Sequence, residues 1–187
     1  MEITKNFCNE ELENILKASA IQTSKKGGKD VSLSTVLYNL IDTYLINGSG
    51  EEDELMEYLV DIFGDNLKRK ISHLQKLSDG EIEKNKLPDE FNSFKDSTTL
   101  PASVSLDSVL ERSKRLIAHF NLGTEGGKLT SSCFLFTAMF EQEDPVVKTL
   151  SRYGIKKSNL VMIIGLVRDE GMDSLSIIEK TLDFMDP

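Results

Sequence analysis

The sequence has few of the residues that mark secreted, membrane-spanning or sheet-rich proteins. Its 187 residues include 2 cysteines, 4 prolines and no tryptophan. No apolar run approaches the roughly 18 residues of a membrane-spanning helix, and the N-terminus lacks the basic start and apolar core of a signal peptide. Cys8 and Cys133 could pair only if the fold brought them together, and thiols stay reduced in the cytoplasm. We therefore predict a cytoplasmic protein whose two cysteines are packing residues.

The charge balance disfavours two large classes of partner. The 31 aspartates and glutamates outnumber the 22 lysines and arginines, which gives a net charge of −9. Nucleic acids and anionic membranes both bind clustered cations, so we predict neither as a partner. A docking surface on such a chain is expected to favour basic or neutral peptides. The length suits one domain or two small ones.

Hydrophobic periodicity predicts an all-α fold. No proline occurs before Pro88, and apolar residues recur at helical spacing through most of the chain. Ser34 precedes one amphipathic run, whereas Asp144 and Pro145 open another that ends at Gly154. Each helix has one apolar stripe, so the helices must pack on one another. The predicted helices cover residues 9–22, 34–47, 53–63, 65–77, 105–120, 131–141, 145–153, 158–168 and 173–185.

The segment 78–105 differs from its surroundings in composition. It holds six acids against three lysines, together with two prolines and many serines, threonines and asparagines. We predict that it is an acidic surface linker between two helical halves. Residues 169–187 are predicted to form a C-terminal helix that leads to the rest of a longer chain.

The two helical halves are similar in sequence. When Leu37 is superposed on Leu135, an offset of 98 residues, Val31 falls on Leu129 and several neighbouring residues also match. An internal duplication of about 65–70 residues explains the match, and the alternative is chance similarity between amphipathic helices. We predict about eight helices, arranged as two four-helix repeats (residues 8–77 and 106–168) that a pseudo-twofold axis relates.

The segment from Leu129 to Ile155 resembles the Clp N-terminal repeat. In order, the family repeat has an apolar residue, a short polar stretch, a Leu-Leu pair, an apolar helix, an acidic turn and a final Leu-x-x-x-Gly. This segment has the same order of features, with Phe134-Leu135 in place of the Leu-Leu pair. Residues 31–41 resemble the opening of the same repeat. The family usually has a histidine just before its paired leucines, and the corresponding residues here are Thr35 and Cys133.

This resemblance implies a function as well as a fold. Members of the family place the double repeat at the front of a ring-forming AAA+ protein unfoldase, where it captures substrates or adaptors for the ATPase ring. One subgroup, the ClpV-type unfoldase of type VI secretion, recognises a helix of the contractile sheath protein through this domain. The resemblance therefore predicts a non-catalytic chaperone domain that is a monomer alone and belongs to a hexamer in its parent protein. A free-standing helical adaptor or scaffold protein with the same fold is the alternative.

Motifs for catalysis, nucleotide binding and metal binding are weak. The run Gly123–Thr130 lacks the spacing of a P-loop, and His73 and His119 are far from other metal ligands in sequence. The acidic loop 47–53 lacks the residues of a calcium loop. Cys133 has apolar neighbours that raise the pKa of a thiol, so a small enzyme that uses Cys133 is only a second rival. We predict no enzyme activity and no catalytic, metal-binding or cofactor-binding residue.

Protein recognition is the function that remains. Helix bundles bind peptides by laying a helix into an apolar groove, and the meeting of two repeats offers such a groove. Its predicted lining is Phe7, Leu12, Ile15 and Leu16 on the first helix. The alternative is that these four side chains are ordinary core residues.

Overall fold

The computed structural model describes residues 7–46, 53–88, 100–120 and 128–164. Every regular element in these ranges is a helix, which confirms the predicted all-α class. A 3₁₀ turn over Gly64–Asn66 joins the helices Asp53–Phe63 and Leu67–Lys84. The predicted helix at 173–185 and residues 89–99 of the acidic segment lie outside the described residues. The α-helices are Glu10–Lys25 (α1), Leu33–Ile46 (α2), Asp53–Phe63 (α3), Leu67–Lys84 (α4), Val104–Phe120 (α5), Ser131–Ala138 (α6), Pro145–Tyr153 (α7) and Lys157–Ile163 (α8).

Helix α7 has the boundaries that its capping residues predict. The Asp144 carboxylate accepts hydrogen bonds from the backbone N–H groups of Val146 and Val147, at 2.8 and 3.1 Å. Pro145 occupies the first turn, where its missing N–H costs nothing. Gly154 ends the helix with φ 107°, a left-handed conformation that glycine adopts without steric strain. The local sequence therefore defines this helix at both ends.

Helix α4 is longer than the sequence analysis predicted. The expected helix ended at residue 77, and the acidic linker was expected to begin at 78, but α4 continues to Lys84. The reason is Ile82, which is 2% exposed and continues the buried stripe of Ile71, Leu74 and Ser78 at helical spacing. The acidic residues of this last part lie beside that stripe, so the predicted start of the linker is wrong.

Helix α2 lies at the centre of the molecule. It contacts α1, α3 and α4 and also reaches α6 and α7, which follow the acidic segment. Its side chains Leu33, Leu37, Leu40 and Ile41 are completely buried, and they belong to one cluster of buried apolar residues that includes members of both halves of the described chain. The first and second halves of the chain thus share a single core.

A short backbone pairing ties the start of α1 to the start of α6. The N–H of Leu129 donates to the carbonyl of Phe7 at 2.7 Å, and the N–H of Asn9 donates to the carbonyl of Leu129 at 2.9 Å. The Asn9 side chain also caps α1, because it accepts from the N–H of Leu12 at 3.0 Å. The segment that leads into α1 is therefore fixed against the segment that leads into α6.

A second backbone pairing ties the start of α2 to the start of α5. The N–H of Val31 donates to the carbonyl of Pro101 at 2.8 Å, and the N–H of Ser103 donates to the carbonyl of Val31 at 2.9 Å. The Ser103 hydroxyl accepts from the N–H of Leu106 at 3.3 Å, at the beginning of α5. Each pairing therefore combines an inter-segment contact with the capping of a helix.

Candidate functional site

The predicted groove residues lie mostly inside the core. Leu12, Ile15 and Leu16 are 0%, 3% and 2% exposed, whereas Phe7 is half-buried with the Lys114 ammonium 5.5 Å from its ring centroid. This burial is what the core-packing alternative predicts, since a bound peptide could reach the three α1 side chains only if α1 moved. A peptide groove at these positions stays a prediction, and Phe7 is its one partly accessible member in this structure.

Polar side chains join α1 to the second half of the chain next to these residues. The Glu11 carboxylate on α1 accepts hydrogen bonds from the hydroxyl of Tyr44 on α2 and from that of Ser131 on α6, the latter at 3.1 Å. Charge-assisted hydrogen bonds of this kind are stronger than neutral ones. Glu11 therefore stabilises the place where three helices meet.

A partly buried carboxylate links α2 to α7. The Ser34 hydroxyl lies 3.0 and 2.9 Å from the two carboxylate oxygens of Asp144, the residue that caps α7. Burial raises the pKa of Asp144 above its ordinary value, while the hydrogen bonds from Val147, Ser34 and Val146 lower it in part. The geometry gives this carboxylate a structural role between the two halves.

The two cysteines are free thiols in apolar surroundings. Cys8 is 2% exposed and Cys133 is 4% exposed. Burial, together with the nearby charge of Glu13, raises the pKa of Cys8 to about 12, so its nucleophilic thiolate is scarce at neutral pH. The burial of both side chains agrees with the packing role that the sequence predicts.

Several weak motifs of the sequence lie wholly or partly outside the described residues. These are the glycine-rich run up to residue 127, residues 47–52 of the acidic loop and the side chain of His119. In the part of the chain that is described, no three histidine, cysteine, aspartate or glutamate side chains are grouped to hold a metal ion. The described helices also include none that is long and apolar enough to cross a membrane.

The first half of α4 forms a basic depression together with the end of α7. Its volume is about 620 Å³, within the range of binding pockets in proteins. Four cations and a histidine occur between residues 66 and 78, and this stretch contains no acid. The depression is therefore positively charged in a chain whose net charge is −9. The residues that line it are Asn66, Arg69, Lys70, Ser72, His73, Lys76 and Tyr153.

Tyr153 and Lys70 build the wall of this basic depression. The Tyr153 ring packs edge-on against Phe63, with centroids 5.7 Å apart, and its hydroxyl lies 2.8 Å from Nδ1 of His73. The Lys70 ammonium donates to the carbonyls of Ile62 and Phe63, at 2.6 and 3.3 Å, and lies 5.2 Å from the centroid of the Tyr153 ring. These contacts hold Lys70 in place, so it shapes the depression and is not a free charge.

Arg69 and Lys76 are the cations that face the solvent here. Both side chains are exposed, and no carboxylate within the described ranges forms an ion pair with either. They stand seven residues apart on α4, which places them on one face of the helix. The net charge of the whole chain does not predict this site, whereas the acid-free run 66–78 is a local signal for it.

A comparison with protein-family models, curated proteins and solved structures finds no match for this chain.

Proposed function

We propose that the chain is a non-catalytic docking domain of a Clp-type AAA+ protein unfoldase, where it binds substrate or adaptor proteins for the ATPase ring. The proposal has two steps. The first is that one helical module occurs twice and that the two copies pack about a pseudo-twofold axis. The second is that the resemblance of this module to the Clp N-terminal repeat gives it the docking function of that family.

The observation that carries the first step is the reciprocity of the two backbone pairings. If two copies of a module pack about a twofold axis, every contact between them recurs with the roles of the copies exchanged. Cys8, two residues before α1, bridges in parallel to Leu129 before α6, while Ala102, two residues before α5, bridges in parallel to Val31 before α2. The superposition made on sequence alone already matched Val31 with Leu129. If Cys8 corresponds to Ala102 as Val31 does to Leu129, the two pairings are one contact made in both directions, which supports the proposal.

Side-chain hydrogen bonds within and between the helices support the same correspondence. The hydroxyls of Ser19 on α1 and Ser113 on α5 each donate to the backbone carbonyl four residues earlier, both at 2.8 Å. At matched positions of α2 and α6, the Asn39 amide donates to Ser19 at 3.0 Å, and the Thr137 hydroxyl lies 2.6 Å from that of Ser113. Asn39 and Thr137 also each bond the carbonyl four residues earlier in their own helix. Chance similarity of amphipathic helices predicts no such shared polar contacts.

The ends of α3 and α7 supply a further pair of residues that the proposed duplication makes equivalent. Phe63 and Tyr153 are the last residues of these helices, and their rings contact each other. Contact between equivalent residues is expected close to a twofold axis. Gly64 and Gly154 follow them, and both have a positive φ, of 46° and 107°. The first half is the longer one because of its helices: α2 and α3 have 14 and 11 residues, whereas α6 and α7 have 8 and 9.

The proposed mechanism is capture and release without covalent chemistry. A segment of the partner binds to the surface of the double repeat, weakly enough to be passed on to the ring. The ClpV-like subgroup of type VI secretion is a narrower form of the proposal. In either form we expect a cytoplasmic domain that is a monomer alone and belongs to a hexameric parent protein.

The reading frame beyond codon 187 tests the proposal first. A chain that continues into a Walker A motif supports it, whereas a stop codon close to Pro187 overturns it and favours the free-standing adaptor. The parent protein then allows a functional test, in which unfolding of a fluorescent substrate is compared with and without residues 1–187. The proposal predicts that the truncated ring keeps its ATPase activity and loses substrate unfolding. Equal unfolding by both forms would contradict the docking role.

A further inference from the structure

The basic depression on α4 suggests what kind of segment the domain recognises. We propose that Arg69 and Lys76, with His73 and Tyr153 between them, bind the carboxylates of an acidic peptide segment in a partner protein. This inference rests on the proposed docking function and specifies the chemistry of the partner. It also reverses the expectation, drawn from the net charge, that basic or neutral peptides are preferred.

Local charge decides this question because exposed charges act over short distances. At physiological ionic strength, charges more than about 8 Å apart are largely screened. A peptide in the depression therefore experiences Arg69 and Lys76 more strongly than the acids on the rest of the surface. The arginine can hold one carboxylate with two parallel N–H donors, and the lysine adds a second positive charge.

The size of the depression favours a peptide over a nucleic acid. Residues 68 to 76 cover about 12 Å of helix length, the reach of about four residues of extended chain. A volume of about 620 Å³ accommodates several side chains. A nucleic acid would extend past this short basic stretch, and the net charge of −9 of the whole chain disfavours binding of its further phosphates.

The wall of the depression offers both polar and apolar contact. The Tyr153 ring is half-buried against Phe63, so it provides a fixed aromatic surface beside the two cations. Ser72, one turn of α4 away from both Arg69 and Lys76, adds a hydroxyl to the floor. A segment in which acidic residues alternate with small or apolar residues fits this combination best.

Fluorescence anisotropy with a defined peptide tests the proposal. The probe is a fluorescein-labelled dodecapeptide of alternating Glu and Gly, and its uncharged control alternates Gln and Gly. The full 187-residue chain is titrated in 50 mM NaCl and again in 500 mM NaCl. We expect binding of the Glu peptide that weakens at least fivefold in the higher salt, because exposed ion pairs are screened. We also expect binding of the Gln peptide to be at least tenfold weaker.

Charge reversal locates the binding site. The double variant R69E/K76E should bind the Glu peptide at least tenfold more weakly than the wild type. The double variant R115E/K128E makes the same change of net charge at exposed residues that do not line the depression, and should bind within twofold of the wild type. Circular dichroism establishes that both variants fold. Equal losses in the two variants, or no loss in R69E/K76E, would overturn the proposal.

Two competitors distinguish the acidic peptide from other anions. Inorganic phosphate at 10 mM and a twelve-nucleotide oligothymidine should each displace less than half of the bound Glu peptide. Stronger displacement by either would assign the depression to a phosphate-bearing ligand instead. If the Glu peptide does not bind, the reading-frame test of the Clp-type proposal still stands. If the reading frame contains no Walker motif, the expected result of the peptide titration stays the same. The two proposals can therefore fail separately.

Discussion

The Asp144 carboxylate provides a demanding test of how the two halves are held together. It caps α7 and accepts a hydrogen bond from the buried Ser34 hydroxyl of α2, so Asp144→Ala removes both interactions. Loss of the cap costs about 1 kcal/mol, and a buried hydroxyl without its acceptor costs about 1–3 kcal/mol. Removal of a desolvated charge offsets part of this sum. We expect a decrease of about 2 kcal/mol in the free energy of unfolding, measured by urea denaturation with circular dichroism.

The matched variant Asp144→Asn separates the hydrogen bonds from the charge. Asparagine keeps an oxygen that can cap the helix and accept from Ser34, so the free energy of unfolding at pH 7 should change by less than about 1 kcal/mol. A double-mutant cycle of Ser34→Ala with Asp144→Ala should give a coupling of about 1 kcal/mol. An Asp144→Ala variant with the same urea midpoint as the wild type, or a cycle without coupling, would refute a stabilising contact between Ser34 and Asp144.

The raised pKa of Asp144 predicts how the stabilities of the wild type and Asp144→Asn differ with pH. The folded state binds the Asp144 proton more tightly than the unfolded state, whose pKa is near the ordinary 3.8. The resulting stabilisation is fully present below that value and is lost as the pH rises through the folded-state pKa. Relative to Asp144→Asn, the wild type should therefore lose stability as the pH is raised from about 3.8 through that folded-state pKa, and then stay constant. A difference that is independent of pH would contradict a raised pKa for this partly buried carboxylate.

Two further predictions concern the shared core and the thiols. Leu37→Ala and Leu135→Ala, at matched and fully buried positions, should each lower the free energy of unfolding by about 3 kcal/mol, whereas Val60→Ala at a 54% exposed position should change it by less than about 0.5 kcal/mol. A loss below 1 kcal/mol for either leucine in urea denaturation would contradict the common core. Cys8 and Cys133 should both resist a thiol-specific reagent at pH 7 and react once the chain is unfolded in urea. Stoichiometric labelling of native Cys133 would instead favour the rival hypothesis of a small enzyme.

The sequence predicts the helices well because their ends carry local signals. Asp144, Pro145 and Gly154 define α7, and the predicted range of α3, 53–63, is also the observed one. The end of α4 could not be predicted in this way, because acids and Gly80 suggested a linker. Only the tertiary contact that buries Ile82 explains why the helix continues.

The candidate site could be predicted less well from the sequence. An apolar stripe such as Leu12, Ile15 and Leu16 has the same pattern whether it faces a core or an open groove, so the stripe alone cannot separate the two. The basic depression depends on Tyr153, which lies far from α4 in sequence and reaches it only through the packing of α7. The cations of α4 were visible in the sequence, but the cavity that they line was not.

Amide hydrogen exchange tests the central claim most directly, because the two backbone pairings depend on the N–H groups of Asn9, Leu129, Val31 and Ser103. If one module occurs twice and the copies pack reciprocally, the four amides open together with the shared core. We predict that all four exchange slowly by NMR, with opening free energies within about 1 kcal/mol of one another. Rapid, unprotected exchange at either pairing while the other stays protected would contradict the reciprocal packing.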